Sequence, residues 1–261
     1  MHDLGFTHTE LGAAGWLPDD RDRLQAVLGQ HELSLLAAFI PLVLHDGAQA
    51  DQALVGAEKA AQLLAAGGAR YFNTAPVTSA DWKPRHELSG AEWDHLYQML
   101  AEVETICAGN GLTQVVHEHV GCVVETAAEV KAVLENTEVA LVLDTGHLAI
   151  GGFDPSEVVS SYPDRIGLVH LKDTNLEVAE RLNRHELTLM EAVQQGLFTA
   201  LGQGDLDLTS VVTGLEHAGY QGWYVIEQDC AILGQPPEPG DGPVRDVEVS
   251  LNFLEKIAAT L

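Results

Sequence analysis

Residues 140–147 read ALVLDTGH. An apolar run ends at a carboxylate, Asp144, and a histidine, His147, follows three positions later. Such a run reads as a strand buried on both faces of a parallel sheet. The C-terminal ends of such strands are where barrels and doubly wound folds build their sites. The same grammar recurs in TQVVHEH (113–119), IGLVHLKD (166–173) and WYVIEQD (223–229). In each, polar groups directly follow apolar residues. Strands that deliver His, Asp, His and Glu to one rim can hold a hard-to-borderline divalent ion through imidazole and carboxylate.

Outward from these segments, short apolar strands alternate with helical stretches. Strands are expected at 6–11, 33–40, 70–73, 113–119, 140–144, 166–172 and 223–229. Helices are expected at 20–28, 52–66, 89–107, 126–135, 155–161, 209–218 and 246–259. Ser89 with Glu92 forms a capping-box signature, and Gly219 suits a helix C-terminus. This order specifies βαβ units and a parallel sheet, closed or open. No GxGxxG or GxxxxGK[ST] follows a strand, which weakens a nucleotide-binding open sheet. The Gly202–Gly204 pair in GQGD reads as a turn. The stretch GQPPEPGDGP (234–243) reads as a loop before the last helix, and no linker divides the chain. A single domain over residues 1–261 is expected.

The 261 residues carry 13 basic against 39 acidic side chains, a net charge of −26. That balance argues against a nucleic-acid partner and against an anionic membrane face. The apolar stretch LSLLAAFIPLVL (33–44) is interrupted by Pro41. It falls short of the ~20 residues a membrane helix needs. The start, MHDLGFTH, has neither a basic nor an apolar region of a secretory signal. Three cysteines without CxxC spacing make a disulfide framework or a cysteine zinc site improbable. A cytoplasmic protein is expected.

Strand alternation sorts the polar residues by face. His117 and His119 share one, with Glu118 opposite, so His117 is favoured as the inward group and Glu118 is the alternative. His170 pairs with Lys172, Glu227 with Asp229, and His8 with Glu10. Lys172 is one of few lysines in the chain, and its inward face suggests substrate contact. Asp173 could instead cap a following turn. Trp93 is expected to pack in the core, and Trp82 either lies in an open loop or covers a pocket. His31, His45, His95, His185 and His217 are expected at the surface or on helices.

The segments GFTHTELGAAGWLP, VVHEHVGCVVET, LVLDTGHLAIGGFDP, YPDRIGLVHLKDTN, FTALGQGDLD and GYQGWYVIEQD span nearly the whole chain in order. Together they resemble the inosose (2-keto-myo-inositol) dehydratase family of the sugar isomerase/epimerase, xylose-isomerase-like TIM barrels. LDTGH with HLKD marks the superfamily. HEHVGC with GWYVIEQD points to the dehydratase branch, with Cys122 standing where that branch has Thr. The resemblance implies an α/β fold, a TIM-type (β/α) barrel. GFTHTELG aligns with its second strand, so seven strands are expected, without the first β/α unit. It implies a divalent metal, Mn2+ or Co2+ with Mg2+ or Zn2+ as alternatives, held by His117, Asp144, His170 and Glu227. Most of the superfamily has Glu at the first of these positions, which keeps Glu118 as a rival ligand. It also implies a lyase acting on a small polyol ketone in inositol catabolism. There His119 would be the base, His147 the acid or enolate stabiliser, and Glu10, Lys172 and Asp229 substrate ligands. An unpaired edge strand would favour a homo-oligomer. An isomerase or epimerase using the same site, and a non-catalytic polyol-binding barrel, are the alternatives.

Overall fold

The alternating pattern folds as expected in a computed structural model, which describes residues 1–13, 15–238 and 240–261. Ala14 and Pro239, within two of the stretches read above, lie outside the described residues. The chain groups into two units, Met1–Val124 with Ala128–Leu141, and Glu125–Ala127 with Val142–Leu261.

The first unit holds β1 (His8–Glu10), α1 (Arg21–Gln30), β2 (Ser34–Ala37), β3 (Phe39–Leu42), α2 (Ala50–Gly67), β4 (Tyr71–Pro76), α3 (Gly90–Gly109), β5 (Thr113–His117) and α4 (Ala127–Asn136). The apolar stretch expected as one strand at 33–40 is two. It breaks at Ala38, and β2 pairs in parallel with β1 whereas β3 pairs in parallel with β4. Strand β4 then pairs in parallel with β5. Side chains of α2 at Ala53, Ala57, Ala61 and Leu64 recur every three or four residues, and all are buried. Their small size allows close approach. A Cβ on Gly67 would come within 2.8 Å of the end of the Leu35 side chain, which would have to shift. Helix α3 opens with the Ser89–Glu92 capping box and buries Leu96, Met99, Leu100, Val103 and Cys107. Phe72 and Val115, from neighbouring strands, are fully buried as well.

Strand β6 (Ala140–Asp144) ends in the second unit, and α5 (Thr145–Ile150) and α6 (Pro155–Ser161) follow it directly. Next come β7 (Ile166–Leu171), β8 (Asp173–Thr174), α7 (Leu176–Asn183), α8 (Leu189–Gln194), β9 (Phe198–Thr199), α9 (Leu208–His217), β10 (Tyr224–Ile226) and α10 (Pro243–Ala258). Strand β7 lies between β6 and β10, and Val225 of β10 sits opposite His170. The two-residue β8 and β9 pair antiparallel. Helices α5, α7 and α8 and the β8–β9 pair were not anticipated. Each is short, and a six-residue helix has too few turns to show a period. One signal was present in the sequence: Thr188 and Glu191 form a second capping box.

Candidate active site

In the second unit, β6, β7 and the residues after β10 gather five of the expected site residues around Lys172. Its ammonium is 1% exposed and lies 2.6 Å from Glu227 Oε2, 2.9 Å from Asp229 Oδ2 and 3.6 Å from Asp144 Oδ2. Burial alone would pull this lysine down. The adjacent charges of Asp144, Glu227 and Asp229 outweigh it and hold Lys172 well above its ordinary value. His147 Nε2 is 3.1 Å from the same ammonium. A charged lysine can only donate, so Nε2 accepts and the ring carries its proton on Nδ1. The Phe198 ring lies 4.7 Å from Nζ and packs edge-on against His147. His170 Nδ1 is 2.9 Å from Glu227 Oε1 and 3.9 Å from Asp144 Oδ2. Asp144 and His170 are fully buried.

Local sequence explains this placement. Asp144 ends β6 and caps α5, accepting the His147 N–H at 2.8 Å. His147 therefore stands on α5, directly behind the strand end. The Thr145 hydroxyl donates to the Lys172 carbonyl at 2.7 Å and accepts the Lys172 N–H at 2.9 Å. A Cβ on Gly146 would lie 2.9 Å from Lys172 Cγ, so the lysine stem requires this glycine. Strand β10 stops at Ile226, short of the strand expected to reach residue 229. The Glu227 N–H still bonds the Leu171 carbonyl, which keeps Glu227 beside β7.

Asp173 follows Lys172 but turns to a structural task. Its carboxylate accepts N–H groups from Thr174, Gly202, Gly204 and Leu206. GQGD is thus a turn, as read, wrapped around a buried carboxylate.

In the first unit, β5 ends at His117, so Glu118 and His119 lie beyond the strand and strict alternation does not reach them. The His117 and His119 rings nevertheless meet at 5.5 Å, nearly perpendicular. Phe39 lies 5.5 Å from one and 5.4 Å from the other, and Trp82 stacks on Phe39 at 6.2 Å. Trp82, half exposed, is therefore a cover over Phe39 rather than a solitary loop residue. His119 Nδ1 is 2.8 Å from the Val120 carbonyl. A carbonyl only accepts, so Nδ1 carries a proton. His117 and Glu118 are both buried. Glu10, half-buried, closes β1, where a register shift between Thr9 and Glu10 breaks the alternation expected of His8 and Glu10. Asn73 of β4, unmarked in the sequence reading, is fully buried with neither amide atom hydrogen-bonded. Such an amide is a candidate substrate ligand, signalled only by its place inside an apolar strand. Cys122, at the position of the family's Thr, is buried with Val43, Ala75 and Val77.

The family model described as the xylose isomerase-like TIM barrel matches residues 1–257. A Geobacillus kaustophilus protein named inosose dehydratase is 34% identical over 246 residues, 89% of this chain and 79% of its own length. The chain belongs to the inosose dehydratase family of xylose isomerase-like TIM barrels. The inosose dehydratase of Geobacillus thermodenitrificans is 38% identical over 146 residues, which span 54% of this chain and 49% of that protein. Among solved structures, the IolI protein with a binding zinc atom superposes with a TM-score of 0.73. It is 16% identical, and the match covers 99% of this chain and 90% of that one. L-ribulose 3-epimerase follows with a TM-score of 0.72 at 19% identity, covering 99% and 86%. At such identities the structural likeness speaks for the barrel fold of this family.

Proposed function

We propose that the protein dehydrates a cyclic polyol ketone, 2-keto-myo-inositol, to a diketo-deoxy product in inositol catabolism. The observation that carries the reading is the cluster of buried Asp144, His170 and Lys172 with half-buried Glu227, in a chain 34% identical to an inosose dehydratase.

The residues fit a divalent metal. His170 Nδ1 and oxygens of Glu227 and Asp144, 2.9 and 3.9 Å away, are the mixed nitrogen–oxygen donor set that such ions take. Asp144, His170 and Glu227 would hold it, and His117 is the fourth donor that the sequence resemblance assigns. Mn2+ or Co2+ is the proposed occupant. When bound, the ion supplies Lewis-acid neutralisation of negative charge developing on the substrate.

The chain's own groups move the protons. Nε2 of His119 takes the proton on the carbon beside the ketone. The electron pair left on that carbon expels the β-hydroxyl, which leaves as water after receiving a proton. The His147–Lys172 pair supplies that proton: the ammonium donates toward His147 Nε2, so a proton released through the imidazole is replaced from Lys172. Asp229, its side chain about half exposed and tied to Lys172, is a proposed ligand of substrate hydroxyls, and Glu10 is another. The net change is loss of one water, and the enol product relaxes to the diketone.

Incubation with Mn2+ and 2-keto-myo-inositol, followed by absorbance of the diketone, tests the proposal. Diketone formation supports it. An isomeric ketose instead would make the protein an isomerase or epimerase, and no turnover with metal bound would make it a binding protein.

A further inference from the structure

His45, expected at the surface or on a helix, is 5% exposed. It follows β3 in the first unit and precedes α2. His86 lies in the segment between β4 and α3, and Glu92 in the first turn of α3. One ring nitrogen from each histidine and one Glu92 oxygen lie within 4.8 Å of one another. The two rings are 5.5 Å apart, and His86 Nε2 is 3.5 Å from Glu92 Oε1. Glu92 divides its labour: Oε2 accepts from the Ser89 N–H and hydroxyl, which leaves Oε1 turned to His86. Nδ1 of His45 makes no hydrogen bond, nor does Nε2 of His95, one turn farther along α3. That same His95 nitrogen comes within 3.6 Å of a Cβ built on Gly47, two residues after His45.

A buried imidazole with an idle nitrogen, facing a second imidazole and a carboxylate, is an ill-satisfied group unless a cation joins them. Two histidines and one glutamate with a position left over form the open His2Glu set that Zn2+ and Co2+ take. We infer that His45, His86 and Glu92 form a second divalent transition-metal site, separate from the residues proposed for the reaction, with the remaining position filled by water or His95. Its consequence is mechanical. His86 shares its segment with Trp82, which stacks on Phe39, and with Arg85, which bonds the Cys122 carbonyl and pairs with Glu129. An ion at this site fastens that segment to the start of α3 and to the chain after β3, and so holds Trp82 in place.

Metal-stripped full-length protein is titrated with Zn2+ alone, and bound zinc per chain is measured after dialysis. His86→Ala, at a half-exposed side chain, and His45→Ala should each lose one equivalent relative to wild type. Asp144→Asn with His170→Ala should retain that equivalent. Zinc should also protect the wild-type chain, but not His86→Ala, from trypsin cleavage after Arg85. Unchanged zinc stoichiometry in His86→Ala, or protection that survives the substitution, would overturn the inference. Should His45→Ala fail to fold, His86→Ala and Glu92→Gln carry the same test.

Discussion

At the residue scale, proton positions follow from which neighbour can only donate or only accept. The Val120 carbonyl puts a proton on His119 Nδ1, and the proposed base is the other ring nitrogen, Nε2. His119→Ala should lower kcat by about 10²–10⁴-fold, the usual range for a general base. Metal content, read by elemental analysis, should stay at the wild-type level, and near-normal turnover would remove His119 from the chemistry. Lys172 is the opposite case, a cation enclosed by acids. Lys172→Met leaves Asp144, Glu227 and Asp229 facing one another without it, and should cost about 3–5 kcal/mol of stability in metal-free protein. The sign of its pH dependence follows from a folded value raised above the unfolded one. Its contribution is fully present below the unfolded lysine pKa of about 10.4 and is lost as pH rises through the higher folded value. The difference in urea midpoint between wild type and Lys172→Met should therefore be flat across neutral pH and shrink only in strong alkali.

At the element scale, short connections do the positioning. Asp144 is at once the last residue of β6 and the cap of α5, so strand end and helix start are one residue. The turn after β9 is built around the Asp173 carboxylate, and a Cβ on Gly204 would come within 2.3 Å of its Oδ1. The obstructing atoms are a buried carboxylate and the Thr174 backbone, which cannot swing away. Gly204→Ala should destabilise the protein by about 1–3 kcal/mol, the range for overpacking, with a matching fall in thermal midpoint. A midpoint within a degree of wild type would show that the turn can relax. The expected elements were legible where a run was long enough to show its period: α2, α3, α9 and α10 appear close to the expected bounds. Helices α7 and α8 were not, because eight and six residues make too few turns for a period to stand out in the sequence.

At the scale of the whole molecule, the charge of −26 acts everywhere at once. Like charges repel more in the compact state than in the expanded chain. Raising NaCl from a few millimolar to about 0.15 M shortens the screening length to about 8 Å. The thermal midpoint should rise with that change, and a midpoint that falls would mean that attractive ion pairs dominate instead. Among the described residues no helix is long and apolar enough to cross a membrane, in keeping with the interrupted apolar runs of the sequence.

The sequence by itself determined the alternation of strand and helix, and it marked Asp144, His170, Lys172 and Glu227 as strand-end groups. Both are local properties: an apolar run of period two or a short buried strand can be read without knowing what lies beside it. Partnership is not local. That Lys172 meets Asp229, 57 positions away, and that His147 accepts from the lysine, were decided by the packing of β7 between β6 and β10. The same holds for His45. In the stretch LHDGAQ nothing separates a surface histidine from a buried one. Only the tertiary structure shows it buried, with His86 and Glu92 close by. Periodicity fixes which way a side chain points along its own strand or helix, whereas the groups it meets are set by long-range contacts that no local pattern encodes.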